Sequence, residues 1–403
     1  MWLAALFALE AAGTLDVSDT ARIYAREAAL LDEADEPDEA ALDIENTPRL
    51  AATLDWPTTS LGFEYAPRLF WSDVAGPEAS PTLLLHNAGL WLSAREERLT
   101  VSLAQTFAIG DQSFARLSAE RGPLQPEPAA TGGLMASPEL ELVPGPTVVR
   151  VIAVESSASL RYDLSRRVSM ELRPSFGISG GADAAAQQAM PRQRTARFEA
   201  SIDVRASRRD TLGTKLGLAQ ISTSNAYDHR IVSLMEIWSR TFAPESGSAL
   251  GAGVALQETT RSADSNGAQW QPIGVASVWH MLRAHAPQVR VRGDLGYQPH
   301  LNVLSGALQH QLFATAGATM LAGDASVAFT LGAAQTLPRD EPDAAQSLTA
   351  DLVLEQALLD WLSAELGGQL AWQSLGSDVV LGSSDARWLL FAGARGELPS
   401  VRF

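Results

Sequence analysis

The residues that could support catalysis are few, and they are scattered along the chain. Residues 177–181 read Gly-Ile-Ser-Gly-Gly, which matches the G-x-S-x-G nucleophile elbow. That elbow requires a parallel α/β sheet, whereas the flanking sequence indicates antiparallel strands. The six histidines lie at positions 86, 229, 280, 285, 300 and 310 without an H-E-x-x-H pair, and the chain has no cysteine. We therefore predict no enzymatic activity, no metal site and no cofactor.

A second set of residues could act on a solute by charge, because arginines and carboxylates recur at every second position in several segments. Over all inward charges that this pattern predicts, eleven are basic and eleven are acidic, so no strong ion selectivity follows. The predicted lining of a polar channel is Arg68, Arg173, Arg197, Arg205, Lys215, Arg290, Arg292, Glu171, Glu199, Asp203 and Asp294.

Two interpretations of the arginines stay open, because a guanidinium contacts carboxylates and anionic ligands equally well. In the first, the arginines form salt bridges that hold the channel wall. In the second, they form a ladder along which an anionic or hydroxyl-rich chain slides.

These charges must be positioned by strands, because strict alternation of apolar and polar residues dominates from about residue 48 onward. In residues 195–206, for example, the even positions are apolar and the odd positions are polar or charged. The alternating segments mostly exceed ten residues, whereas strands of globular proteins typically have about five or six. A tilted membrane-spanning strand needs about 9–11 residues. Long, amphipathic and numerous strands are typical of a transmembrane β-barrel.

Connection lengths predict how many strands there are. If the predicted strands are counted in chain order, short and long connections alternate. The short ones, such as residues 57–59, 165–166 and 244–246, follow every second strand, and the long ones follow the strands between. Bacterial barrels have short periplasmic turns and longer outer loops. We predict about 18 strands with the short turns in the periplasm. Sixteen strands is the alternative, because removing two strands keeps the alternation of short turns and long loops.

The chain divides into three predicted regions. Residues 1–13 resemble a cleavable signal peptide with a short apolar run, although no basic residue precedes that run. Residues 14–47 are assigned to a first strand and an acidic loop. Residues 1–47 hold twelve acidic and two basic residues, so most of the net charge of −17 lies in this part of the chain. Residues 48–403 are assigned to the barrel.

Residues 109–146 form the longest predicted outer loop, and they hold six of the 21 prolines. In porin-like barrels a loop of this kind folds inward and narrows the pore. A surface loop with no such task is the alternative. The sequence pI of about 4.8 argues against a nucleic-acid partner, because nucleic-acid-binding proteins present a basic surface.

Tryptophans lie near both ends of the predicted strands, as in the aromatic girdles of membrane barrels. Trp91, Trp279 and Trp361 fall near periplasmic ends and Trp270 near an outer end, and the chain ends in the aromatic Phe403. With these features the chain resembles the outer-membrane β-barrel proteins of Gram-negative bacteria. It departs from their pattern at Pro399, which interrupts the last strand.

The resemblance implies an all-β fold, a single antiparallel transmembrane barrel in the bacterial outer membrane. It also implies membrane lipid and the barrel assembly machinery as partners. Two functions compete. Similar 18-stranded barrels of the alginate-export type, and barrels familiar from myxobacteria, export polysaccharide and would meet a periplasmic polysaccharide-export protein. A general diffusion porin is the second function, and a non-conducting surface anchor is a further alternative.

Overall fold

The computed structural model describes residues 12–27, 40–72, 82–113, 148–261, 264–282, 287–301, 308–337, 345–375 and 384–403. The predicted signal peptide, most of the acidic loop and most of the 109–146 loop lie outside the described residues. No helix in the described part of the chain is long and apolar enough to cross a membrane.

Twenty strands and one short helix make up the described fold. The helix α1 spans Ala184–Ala189. The strands are β1 Ala12–Glu27, β2 Ala40–Asp55, β3 Thr59–Tyr65, β4 Arg68–Ser72, β5 Thr82–Arg95, β6 Leu99–Ser113, β7 Val148–Asp163, β8 Val168–Gly181, β9 Gln193–Arg205, β10 Asp210–Thr223, β11 Tyr227–Ala243, β12 Ser246–Arg261, β13 Asp264–Leu282, β14 Gln288–Leu301, β15 Leu308–Ala322, β16 Ala325–Leu337, β17 Ala345–Leu359, β18 Leu362–Leu375, β19 Ser384–Glu397 and β20 Val401–Arg402.

The strands form one closed antiparallel sheet. Neighbours in sequence pair with each other, and β1 also pairs with β19, so the sheet has no free edge. Strands β3 and β4 are one strand interrupted at Pro67, and β20 continues β19 after Pro399. Twenty segments less these two interruptions give 18 strands, which confirms the predicted barrel and its strand count.

The two ends of the barrel differ as the alternation of connection lengths predicts. At one end, here called the turn end, connections span at most five residues, such as 164–167 and 206–209. The opposite end, here called the outer end, carries the long connections, including residues 114–147 and 182–192. In bacterial barrels the long loops face outward.

The two faces of the sheet differ in composition because one faces lipid. On β9, Phe198, Ile202 and Val204 are exposed on the outer surface, whereas Glu199 and Asp203 point into the lumen. The same parity holds around the barrel: large exposed apolar side chains point outward, and the buried strand side chains point inward.

The tryptophan prediction is only partly right. Trp361 at the turn end is exposed, as a girdle residue should be. Trp91 and Trp279, however, lie on the inward face, opposite Gly62 and Gly247 in the ladder. An added Cβ on either glycine would come within 2.3 Å of the indole ring, so each ring covers a strand glycine from inside the barrel.

The sheet closes through an ion pair that crosses a whole strand. Arg22 on β1 reaches over β19 to Glu365 on β18, with Nε–Oε1 and Nη2–Oε2 distances of 2.5 and 3.0 Å. β19 has Gly393 at the crossing, where an added Cβ would lie 2.7 Å from the Glu365 oxygen. The Arg22 guanidinium also lies 5.6 Å from the centre of the Phe391 ring. The glycine therefore makes room for the bond that joins the first strand to the last two.

The C-terminus completes the closure despite the proline. Pairing to β1 pauses after Glu397, as the sequence predicts at Pro399, and resumes in β20. Phe403 and Gly13 exchange two backbone hydrogen bonds of 3.0 and 2.8 Å. The Phe403 ring lies over Gly13, where an added Cβ would be 2.2 Å from it. An aromatic ring that covers a strand glycine stabilises the pairing of the two strands.

Replacing Gly393 with valine should destabilise the barrel, because the new side chain displaces the bidentate Arg22–Glu365 pair. We expect a loss of about 1.5–3 kcal/mol in the free energy of unfolding, the range for hydrogen bonds to charged groups. The measurement is urea unfolding in lipid vesicles. The matched control is Gly396→Val on the same strand, where an added Cβ meets nothing within 4 Å. Equal losses in both variants would show that the ion pair does not stabilise the closure.

Candidate functional site in the barrel lumen

The lumen wall has two levels along the barrel axis. In the half of the barrel next to the outer end, here called the outer level, inward side chains such as Tyr24, Leu85, Ile231, Phe313 and Leu389 are buried. In the other half, here called the turn level, many inward side chains are charged or carry hydroxyls and remain partly exposed. Barrels of this size usually enclose an aqueous channel. Among the described residues, the partly exposed polar side chains that would line such a channel lie mainly in the turn level.

A charged pocket forms part of the turn level. It gathers side chains from β7, β8, β9 and β10, and it includes five residues that the sequence predicts as lining. The charged residues of the pocket are Arg161, Glu171, Arg173, Glu199, Asp203 and Lys215. Three are cations and three are carboxylates, which agrees with the predicted balance of charge.

The pocket combines an ion pair with a cation that forms no ion pair to a described residue. Arg173 Nε donates to Glu171 Oε1 at 2.6 Å, so this pair is fixed. Lys215 lies opposite Ser201 in the ladder, and it makes no ion pair with any residue that the structure describes. Its ammonium group lies among the carboxylates of Glu171, Glu199 and Asp203, which attract it without forming an ion pair.

The other predicted lining residues divide in the same way. Arg292 binds Asp294 through two hydrogen bonds of 2.7 and 3.0 Å. Arg197, Arg205 and Arg290 are exposed and form no ion pair within the described part of the chain. Arg173 and Arg292 thus fit the interpretation of salt bridges within the wall, whereas Arg197, Arg205 and Arg290 fit the interpretation of a ladder for a solute. Contact of these side chains with a transported solute stays a prediction.

Arg68 lies in the outer level, where it belongs to a buried network that the sequence analysis missed. Glu45 accepts hydrogen bonds from Arg68 Nε at 2.7 Å and from the Tyr24 hydroxyl at 2.8 Å. A second ion pair lies two residues further along β1 and β2. Arg26 Nε is 2.7 Å from Asp43 Oδ2, and both side chains are at most 4% exposed. Charges buried this deeply persist only when they are paired and hydrogen-bonded.

This network was missed because the second strand begins at Ala40, earlier than the alternation predicts at residue 48. Asp43 and Glu45 continue an acidic run that resembles a solvated loop. The sequence does contain a signal for this part of the strand, because the apolar Leu42 and Ile44 alternate with Asp43 and Glu45. In the structure Leu42 and Ile44 are 43% and 44% exposed on the outer face.

The connection between β8 and β9 covers part of the outer level from inside. Within it, α1 lies against the inner face of the wall. Ala186 of α1 is buried in one apolar cluster with Leu85, Val149 and Val151, and Met190 packs against that cluster. For residues 109–146 the sequence leaves an inward loop and a surface loop open, and most of that loop lies outside the described residues; the described connection 182–192 folds inward.

Hydrogen bonds hold this connection in place. Arg192 donates from Nη2 to the carbonyl oxygen of Gly181 at 2.8 Å and to that of Ala182. Its backbone N–H donates to Ser224 Oγ at 2.9 Å. An added Cβ on Gly181 would lie 2.3 Å from the carbonyl carbon of Ala186. The glycine at the end of the G-x-S-x-G segment is therefore explained by the close approach of α1, and the segment lies in an antiparallel strand.

A second covering element arises where the sheet is interrupted. The ladder between β13 and β14 runs up to the pair Gly274–Tyr297 and stops there. Two residues further on, the same register places Pro272 opposite Pro299. Proline has no N–H to donate to a ladder, so the two prolines explain why pairing ends at this point.

Beyond the prolines, the end of the β14–β15 hairpin turns toward the lumen. Leu301 and Leu308 pack against an inner-face apolar cluster that includes Ile221 and Ile231. The His310 ring nitrogen Nε2 lies 3.1 Å from Oε1 of Gln257 on β12. We call residues 298–301 and 308–311 the hairpin tip. It covers the wall of β10–β13 as α1 covers the wall of β5–β7.

A protein-family model matches residues 9–390 of this architecture, and it describes the EpsX exopolysaccharide export family. The chain belongs to the EpsX exopolysaccharide export family. Comparison with curated protein sequences gives no match. Family membership and the closed barrel place this EpsX-family protein in the bacterial outer membrane as a transport channel.

The chain is also similar to solved structures, at low sequence identity. The chain is similar to the FrpB iron transporter from Neisseria meningitidis (F3-3 variant), with TM-score 0.47, 8% identity and 91% of this chain covered, and it spans 63% of the length of that transporter. It is similar to the outer membrane protein OpdK from Pseudomonas aeruginosa, with TM-score 0.45, 10% identity, and 96% and 99% of the two chains covered. It is also similar to OccAB4 from Acinetobacter baumannii, with TM-score 0.43 and 8% identity, and the match covers 96% of this chain and 98% of OccAB4.

Replacing Ala186 with glutamate should open the lumen. The substitution places a charge in the apolar cluster under α1, and an unpaired charge in such a place is strongly unfavourable, so the connection should leave the wall. We expect ion conductance in planar bilayers to rise about tenfold or more above that of the unmodified protein. The control is Ala185→Glu, one residue away on the exposed side of α1, which should leave conductance unchanged. Equal conductance in the two variants would contradict a covering role for α1.

Proposed function

We propose that this barrel is the conduit through which an exopolysaccharide crosses the outer membrane, and that it rests with its outer level closed. The observation that carries the proposal is the division of the lumen into a polar turn level and a covered outer level, in a chain of an exopolysaccharide export family. A polymer would enter from the periplasm, where the short turns are expected to lie.

The turn level suits a polar chain chemically. Carboxylate–arginine pairs such as Glu171–Arg173 and Arg292–Asp294 present both acceptors and donors to sugar hydroxyls. The unpaired cations Lys215, Arg197 and Arg290 add attraction for anionic groups on the chain. The charges lie on several strands, so a flexible polymer would exchange one contact for the next as it advances.

The outer level suits a gate. Both α1 and the hairpin tip reach the inner wall mainly through apolar contacts. The helix α1 lies in a connection, and the hairpin tip is the end of β14 and β15, where β14 no longer pairs with β13. Their displacement would open the lumen while the sheet stays closed. A gate of this kind would keep small solutes from leaking while no polymer is present.

A general diffusion porin remains the second candidate function, favoured by the wide closed barrel itself. A porin conducts ions steadily and needs no moving part. The two functions therefore differ in what happens when α1 is fixed to the wall.

The chain has no cysteine, so a disulfide can be introduced without interference. We expect Ala186→Cys with Val151→Cys to form a bond on oxidation, because both residues lie in the same apolar cluster. In cells that depend on this protein, oxidation should lower surface exopolysaccharide about tenfold, and reductant should restore it. Ala185→Cys with Val151→Cys is the control, since Ala185 faces away from the wall. Full export through the locked form, or steady conductance of the unmodified protein, would favour the porin.

Removing unpaired cations should shift ion selectivity. In the opened Ala186→Glu background, we expect Arg197→Gln with Arg205→Gln to make the pore more cation-selective, because carboxylates such as Glu199 and Asp203 stay in the lumen. The measurement is the reversal potential in a salt gradient. Arg230→Gln, on an exposed arginine of β11 outside the lumen, serves as control. An unchanged reversal potential in the double variant would show that these arginines do not face the conducting path.

A further inference from the structure

Two neighbouring turns at the turn end repeat one short motif. Residues 165–167 and 207–209 both read Ser-Arg-Arg. The first turn joins β7 to β8 and the second joins β9 to β10. The backbone N–H of Arg205 donates to the carbonyl oxygen of Arg167 at 2.7 Å. The two motifs therefore lie side by side on the rim of the barrel.

The two turns also share their internal geometry. Ser165 Oγ accepts hydrogen bonds from the backbone N–H groups of Arg167 and Val168, at 3.2 and 3.1 Å. Ser207 Oγ accepts from those of Arg209 and Asp210, both at 3.0 Å. In each turn the serine fixes the backbone, so the two following arginines occupy equivalent positions.

The four arginines of these turns are exposed, and none forms an ion pair with a described residue. The nearby carboxylates already have partners. Asp163 lies 3.5 Å from Arg161 Nε. Asp210 accepts from the Ser207 hydroxyl at 2.7 Å and from Trp238 Nε1 at 3.2 Å, and Arg240 lies 3.8 Å from it.

This positive charge is local. In the adjoining turn, Glu96 and Glu97 balance Arg95 and Arg98. The turns at 323–324 and 360–361 each carry one aspartate and no cation, and the whole chain has a net charge of −17. A general surplus of arginine therefore does not explain the patch.

Exposed apolar side chains border the patch on the outer surface. Tyr162, Leu164 and Phe242 are 41%, 47% and 52% exposed, as expected for side chains in contact with lipid. Leu164 is only two residues from Arg166, so their Cα atoms are at most about 7 Å apart. The guanidinium groups thus lie at the depth of the lipid headgroups next to the hydrocarbon boundary.

We propose that the two Ser-Arg-Arg turns bind the phosphate of an anionic phospholipid in the leaflet at the turn end, and that they prefer a headgroup with two phosphates. A guanidinium binds phosphate oxygens in a bidentate manner. The centres of the two turns are two strand spacings apart, which is about 10 Å. Each turn can therefore take one phosphate of a cardiolipin headgroup. This binding does not depend on what the barrel conducts.

Native mass spectrometry of the purified full chain tests the proposal with cardiolipin, phosphatidylglycerol and phosphatidylcholine as probes. We expect retention to fall in that order, with about a tenfold or larger difference between the first and the last, since each basic residue near an anionic surface adds attraction. The variant R166S/R167S/R208S/R209S should lose that difference. The matched control, R95S/R98S, removes arginines from the neighbouring turn and should bind as the unmodified protein does.

A second variant keeps the test decisive if the serine variant folds poorly. R166K/R167K/R208K/R209K preserves the charge but not the bidentate geometry, so it should retain phosphatidylglycerol and lose the preference for cardiolipin. Unchanged retention in the serine variant, or an equal loss in R95S/R98S, would overturn the proposal. Displacement of the lipid by excess inorganic phosphate would reassign the site to a free anion. Unchanged lipid retention together with lost export in cells would reassign the turns to a periplasmic protein.

Discussion

In hydrocarbon no water is present to bond a free N–H or C=O group, so a sheet that crosses a membrane must pair its first strand with its last. This constraint determines most of what the structure shows. Closure through β1, β19 and β20 removes the edge, and it gives every strand one face toward lipid and one toward the lumen. The closure needs side chains as well as backbone: Arg22 and Glu365 meet only because Gly393 leaves their path open.

A closed sheet of 18 strands is too wide for its inward side chains to meet across it, so burial inside needs inserted elements. Here α1 and the hairpin tip supply part of it, each against an apolar patch of wall. The paired prolines show how a sheet supplies such an element from itself. The ladder between β13 and β14 ends before the register brings Pro272 opposite Pro299, and beyond that point the end of the β14–β15 hairpin turns inward while β13 stays paired with β12. Interrupted pairing thus accounts for one of the two elements that cover the outer level, and the connection between β8 and β9 supplies the other.

The sequence predicts the barrel well because period-two alternation and connection length are local properties that every strand repeats. The same alternation predicts which charges face inward, and Glu171, Arg173 and Lys215 lie in one pocket of the lumen wall; their contact with a solute stays a prediction. The misses have physical reasons too. Asp43 and Glu45 belong to a run whose charge resembles a loop. The position of Trp91 along its strand indicates depth but not the face. The six-residue helix α1 takes its place inside the barrel from an inner wall built by distant strands, which no local pattern reports.

The closing ion pair joins residues that are 343 positions apart in the chain. A contact between residues so distant in sequence carries a large loop-closure cost, and pairing of the intervening strands reduces that cost. Until β18 and β19 are in place, Arg22 is a cation without its carboxylate on an open strand edge, which disfavours burial of that edge in lipid. The pair therefore acts as a check on completeness: a barrel that lacks its last strands cannot neutralise its first one. Order of assembly is in this way encoded in a single side-chain contact.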